Sequence, residues 1–277
     1  DILTYAVSVG ATDISIWPWD RHRWNVSVRQ GGRMHSLGVL DQTFADGLIR
    51  RLLHKAQLDI LDRKSPQDGT VVFPWLPEQR IRVSVVGDLQ GQYLALRLLG
   101  RAVQGLSVLG YEASAITRLR HAASCRDGLV LFAGPTGSGK TTGMAALLAE
   151  IAGVSRKVLS LEDPVEYRIP GVVQIERSTE QLNGELIAAA LRQDPDVLAF
   201  GEIRKSDHVR QLEEAILSGH LVVSSIHGFN REGTLNRLVA LGMSEAIARR
   251  YCRALCCQRL EGDPLQLEAS VEELPWQ

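Results

Sequence analysis

One segment constrains this chain more than any other: GPTGSGKT at residues 134–141. It satisfies G-x-x-x-x-G-K-[ST] at all four fixed positions, Gly134, Gly139, Lys140 and Thr141. An apolar run at 129–133 leads into it and a helical pattern at 141–151 follows. Strand, glycine-rich turn and helix in that order build a phosphate cradle. Pro135, Thr136, Gly137 and Ser138 form the turn, and Thr142 follows on the helix. The loop's N–H groups turn toward an anion, and the helix N-terminus adds the positive end of its dipole. Lys140 neutralises phosphate oxygens, and the Thr141 hydroxyl is placed for Mg²⁺. A turn that merely resembles the motif is the alternative, and the correct flanks weigh against it. The motif predicts nucleotide binding and leaves motor, kinase and switch open.

The surroundings predict an α/β chain of two domains, residues 1–104 and 105–277. Apolar runs at 158–161, 197–200 and 221–225 alternate with helical patterns at 184–193, 206–218, 231–241 and 244–259. Such alternation predicts a mostly parallel sheet covered on both faces. Before it, 14–17, 24–28, 71–73, 80–86 and 93–98 read as strands and 43–61 as a helix. Gly31-Gly32 marks a hairpin, and residues 66–69 read as a turn. A helix is expected at 113–123, and no clear fold from Gly262 onward.

Hydrolysis at a γ-phosphate needs groups that hold Mg²⁺ and orient water. Two acidic clusters follow predicted strands: Glu162, Asp163 and Glu166 after 158–161, and Glu202 after 197–200. In an open α/β sheet, the carboxyl ends of the strands form the ligand crevice. Any one such carboxylate is more often an ordinary loop residue, but two clusters downstream of one phosphate loop favour function. His220 and His227 flank the 221–226 run. A histidine at a strand end is commonly structural, yet His227 is placed to sense a γ-phosphate.

Composition bounds the rest. A net charge of −1 over 277 residues argues against a surface built for nucleic-acid phosphates. No run is long enough to span a bilayer, and no signal peptide opens the chain. Four cysteines make no disulfide framework, which suits a reducing, cytoplasmic setting.

Together these segments resemble the secretion ATPase family that drives type II secretion and type IV pili. LEDPVEY at 161–167 resembles its Asp box, DPDVLAFGEIR at 194–204 its Walker B segment, and SGHLVVSSIH at 218–227 its His box. ATDISIWP at 11–18, PQDG at 66–69, RVS at 82–84, LRLL at 96–99 and QRL at 258–260 fall in family order. The resemblance covers nearly the whole chain. It implies a PAS-like α+β N-terminal domain, a RecA-like ATPase domain and a homo-hexameric ring that takes ATP and Mg²⁺. It implies that Glu166 activates water, that Glu202 supports Mg²⁺ or water, and that Arg82 and Arg97 are arginine fingers. Without the resemblance, both arginines read as exposed strand residues. It also implies a membrane platform protein as partner, peripheral placement at the cytoplasmic face of the membrane, and no direct nucleic-acid binding.

The chain departs from the family at Ser15, Gln92, Lys205 and Gly228, where the pattern has histidine, glutamate, aspartate and threonine. Those departures bear on ring regulation and partner contacts more than on core chemistry. Cys252, Cys256 and Cys257 lack paired C-x-x-C spacing, so buried thiols are expected there rather than zinc. A short chain without that module is most similar to the competence-pilus assembly ATPases of Gram-positive bacteria, with the pilus retraction ATPase as the alternative. A P-loop transferase would need an acceptor lid, a DNA translocase basic loops, and a non-hydrolysing switch the replacement of Glu166 or Glu202. None of these features is evident.

Overall fold

The computed structural model describes residues 2–87, 91–153, 156–177, 184–261 and 266–273. The chain divides into two compact units, Asp1–Arg101 and Ala102–Gln277.

The first unit holds α1 (Ile2–Ser8), β1 (Asp13–Pro18), β2 (Arg23–Gln30), β3 (Arg33–Asp41), α2 (Gln42–Lys55), β4 (Gln67–Phe73), β5 (Leu76–Gly87) and β6 (Gln92–Leu99). The six strands form one sheet in the order β3-β2-β1-β6-β5-β4, antiparallel throughout. Period-2 alternation drives Ile14, Ile16, Val83, Val85, Leu94 and Leu96 into a core shared with Ile49, Leu52 and Leu53 of α2. The Asp41 side chain caps α2 by accepting from the Phe44 N–H at 2.9 Å.

Two expectations for this unit need correction, and one strand escaped the reading. The helix read at 43–61 stops at Lys55, because Gln57 turns left-handed at φ 59°. Residues 66–69 are no turn, since β4 starts at Gln67. The Gln67 amide instead pins the preceding loop: it accepts from the Asp59 N–H and donates to the Asp59 and Asp62 carbonyls. Strand β3 went unread because its side chains are almost all exposed, which leaves no buried alternation to see.

A two-residue strand, β7 (Arg101–Ala102), lies at the division. The second unit then runs α3 (Ala113–Ser124), β8 (Gly128–Ala133), α4 (Lys140–Ala152), β9 (Val158–Glu162), β10 (Tyr167–Arg168), β11 (Val172–Glu176), α5 (Gly184–Leu191), β12 (Val197–Ile203), α6 (Ser206–Leu217), β13 (Leu221–Ile226), α7 (Arg231–Ala240), α8 (Glu245–Tyr251), β14 (Cys252–Glu261) and β15 (Gln266–Glu273). Seven strands order as β11-β9-β12-β13-β8-β14-β15. All pair in parallel except the β14–β15 hairpin. Central strand β8 shows how both faces are covered. Val130 and Phe132 enter one core with α3 and α4. Leu129, Leu131 and Ala133 enter the other with α5 and α6.

The helix expected at 244–259 ends at Tyr251, and the cysteines lie on β14. Buried on both faces, that strand carries no polar alternation to distinguish it from a helix. Cys256 faces the first core and Cys252 the second, so the two sulfurs point to opposite sides of the sheet. Burial pushes each of these thiols up to about 12. The tail read as unfolded contributes β15, held by its register with β14.

Candidate functional site

The site is built on strand ends. Strand β8 delivers the chain into the loop at Gly134, and α4 leaves it at Lys140. Gly137 (φ 78°) and Gly139 (φ 85°) adopt the left-handed conformation that turns the loop. A Cβ on Gly137 would meet nothing among the described residues within 4 Å, so the loop mouth is open there, whereas one on Gly134 would overlap Ser138. The Ser138 hydroxyl is buried without a hydrogen-bond partner among the described residues. An open, glycine-lined loop at a helix N-terminus with a buried donor to spare fits a phosphate group.

Lys140 is buried to 8% exposure, and its Nζ donates to the carbonyls of Gly134 and Pro135, both at 2.9 Å. Desolvation holds its pKa below the ordinary lysine value; the charges of Glu202 and Glu166 oppose that shift, and Arg204 adds to it. The structure therefore brings Lys140, Glu166 and Glu202 together. Thr141 and Thr142 are half-buried on the first turn of α4, and the Thr142 hydroxyl meets the Tyr167 hydroxyl at 2.7 Å.

Glu202 owes its position to a break in pairing. The β12–β13 register shifts between Phe200 and Ile203. Ser224 and Ser225 donate to the Phe200 and Gly201 carbonyls at 2.9 and 2.6 Å, which satisfies the backbone there. The Glu202 carboxylate then has two basic side chains against it. His227 Nε2 lies 2.9 Å from Oε1, and Arg204 Nε donates to Oε2 at 2.6 Å. His227 thus reaches the site through Glu202, while His220 sits at the far end of β13 beside Ser218. A carboxylate, a threonine hydroxyl and water are the oxygen donors Mg²⁺ prefers. Glu202 and Thr141 fit that need.

Glu162, at the end of β9, is buried. Its Oε1 accepts from Ser160 Oγ at 2.7 Å and Gln174 Nε2 at 3.0 Å. Burial raises its pKa despite those donors. A raised carboxyl pKa means the folded state binds the proton more tightly than the unfolded chain. That contribution is complete below the unfolded value and is lost as pH rises through the folded one. Glu162→Gln keeps an acceptor at Oε1 and removes the charge. The melting temperature of Glu162→Gln should therefore gain on the wild type between pH 4 and 8, and parallel curves would refute this.

Arg82 and Arg97 belong to the first unit. They are direct cross-strand partners on β5 and β6. Arg82 pairs with Asp68 at 3.3 Å and Arg97 with Asp13 at 3.2 Å, all partly exposed. Two of the departures have local readings. A Cβ on Gly228 would overlap the buried Thr234 hydroxyl, which donates to the Asn230 carbonyl, so a threonine at 228 would not fit. Lys205, at the N-cap of α6, makes no side-chain cap bond. Sequence reasoning gave no role to Tyr111, Tyr167, Gln174 or Gln258, whose contacts join distant segments.

The family model for type II/IV secretion system proteins matches residues 1–271. The chain is 33% identical over 277 residues to the type II secretion system protein HxcR of Pseudomonas aeruginosa, covering 95% of this chain and 59% of that one. It is 32% identical over 265 residues to the type IV pilus assembly ATPase PilB of Myxococcus xanthus, covering 94% and 47%. The chain thus spans about half the length of these relatives. Among solved structures, the Legionella pneumophila ATPase DotB superposes with a TM-score of 0.79 at 22% identity, covering 99% of this chain and 80% of that one. The pilus retraction motor PilT with bound ADP gives 0.74 at 23%, covering 99% and 82%. At those identities the structures speak for the fold. With the family model spanning both units, the chain belongs to the type II/IV secretion system protein family.

Proposed function

We propose that this chain is the ATP-hydrolysing part of a homo-hexameric motor that assembles a type IV-like pilus or pseudopilus, of the kind used in secretion or competence. One observation carries the reading: Lys140 closes the glycine loop at the start of α4, while Glu166 follows parallel strand β9 and Glu202 stands in the last residues of parallel strand β12. The loop from Gly134 to Thr142 holds the phosphates of ATP. Thr141 and Glu202 would hold Mg²⁺, which when bound neutralises charge on the phosphate oxygens. Glu166 accepts the proton of the attacking water. His227 is coupled to the γ-phosphate position through its bond to Glu202. Arg82 and Arg97, on a PAS-like first unit, are the arginine fingers, whose planar guanidinium groups suit the charge of a transferring phosphoryl group.

Similarity to PilB, a type IV pilus assembly ATPase, supports assembly rather than retraction. Among the described residues no helix is long and apolar enough to cross a membrane, consistent with a motor docked from the cytoplasmic side on a membrane platform protein. The test is steady-state ATP turnover with and without Mg²⁺, beside Arg82→Ala and Arg97→Ala, with mass by light scattering. We expect Mg²⁺-dependent hydrolysis from a six-subunit species. Loss of one finger should cost on the order of 10³-fold in turnover. Unchanged turnover in both arginine variants would remove the proposed finger role of Arg82 and Arg97.

A further inference from the structure

The phosphate loop is braced by a residue that the mechanism above does not use. Strand β14 runs beside β8 with Cys257 opposite Ala133. The next residue, Gln258, therefore falls beside Gly134, where β8 gives way to the loop. Its carbonyl oxygen occupies the space that a Cβ on Gly134 would need. Its side chain reaches the loop's other end, where Nε2 donates to the Ser138 carbonyl at 2.8 Å.

The amide is oriented from behind. The Tyr111 hydroxyl donates to Oε1 at 2.7 Å, and the Cys256 thiol approaches the same oxygen at 3.8 Å. With donors on Oε1, the NH₂ end must face the loop. Gln258 and Tyr111 are buried, at 4% and 6% exposure. Gly143 completes the fit: a Cβ there would overlap the Tyr111 hydroxyl, so the first turn of α4 is shaped around that phenol.

We propose that Gln258 is a positioning residue for phosphate binding, with Tyr111 as the group that orients its amide. The Ser138–Gly139 peptide is trans, so its C=O and N–H point in opposite directions. Holding the Ser138 carbonyl from one side aims the Gly139 N–H to the other. The inference rests on the nucleotide-binding reading of this loop.

The test is titration of the full chain with a fluorescent ADP analogue, with thermal melting in parallel. Gln258→Glu keeps the shape but sets a carboxylate oxygen against the Ser138 carbonyl. Its Kd should be about 10-fold weaker than wild type at pH 8, a loss about the size of one buried hydrogen bond. The deficit should shrink toward pH 5.5, where a protonated acid can donate again. Gln258→Met should show a similar loss with no recovery at low pH. Gly143→Ala should weaken binding, and adding Tyr111→Phe should restore part of it. Wild-type Kd values in Gln258→Glu and Gln258→Met would overturn the proposal, as would lowered melting temperatures with unchanged affinity. Failure of the folded wild type to bind the probe would sink the nucleotide reading first, and this one with it.

Discussion

Lys140→Ala should leave a folded protein with nucleotide turnover reduced by at least about 10²-fold, the scale of losing one charge-stabilising donor in a reacting site. The structure separates this functional loss from any loss of stability. Lys140 is buried, and desolvation disfavours its charged form. A lysine whose folded pKa is depressed costs stability at pH values below that pKa, so removing it relieves a penalty. Against this, the Gly134 and Pro135 carbonyls lose their donor, at about 1–3 kcal/mol for each group left buried and unpaired. The opposed effects should hold the melting temperature within a few degrees of wild type. Turnover and melting measured on one preparation check both halves. A folded variant with retained turnover would refute the phosphate role of Lys140.

Phe132→Ala should produce the opposite pattern, a large loss of stability. Phe132 is fully buried on β8, between parallel neighbours β13 and β14, and its ring abuts the space beside Gly143 on α4. Truncating such a ring costs about 3–5 kcal/mol, because the removed atoms leave a cavity that the sheet cannot close. Against a typical stability of about 5–15 kcal/mol, that is a large fraction of the whole. A drop of about 10 °C in melting temperature is expected. Phe229→Ala makes the same chemical change at a ring 83% exposed, and should shift stability by less than about 0.5 kcal/mol. Equal effects at the two positions would mean that Phe132 does not carry the core.

How much of this was legible depended on what each residue faces. The runs at 129–133, 158–161, 197–200 and 221–225 were readable because central parallel strands are apolar on both faces and end in polar loops. That pattern alone predicts Lys140, Glu166, Glu202 and His227 near the ends of neighbouring strands. Strand β14 defeated the same logic. Its cysteines follow α8 with no glycine or proline between them, and i, i+4 apolar spacing reads as helix. Strand β11, at the sheet edge, is mostly half-buried and gave no clean run. The Tyr111–Gln258 bond joins residues 147 positions apart, and no local pattern announces such a contact. The pairing of Arg82 with Arg97 was equally invisible, since it follows from register between β5 and β6.

The placement of chemistry on one rim of the second unit's sheet leaves the opposite rim free for instrumentation. Strand β13 runs from Leu221 to Ile226, about 20 Å of extended chain. His227 lies past one end, and the Ser218–Gly219 turn precedes the other. Leu217, 58% exposed at that turn, packs into neither core. A dye or surface tether at Leu217 would stand about a full strand length from the nucleotide pocket. A single molecule could then be followed, or pulled on, while the phosphate loop stays untouched.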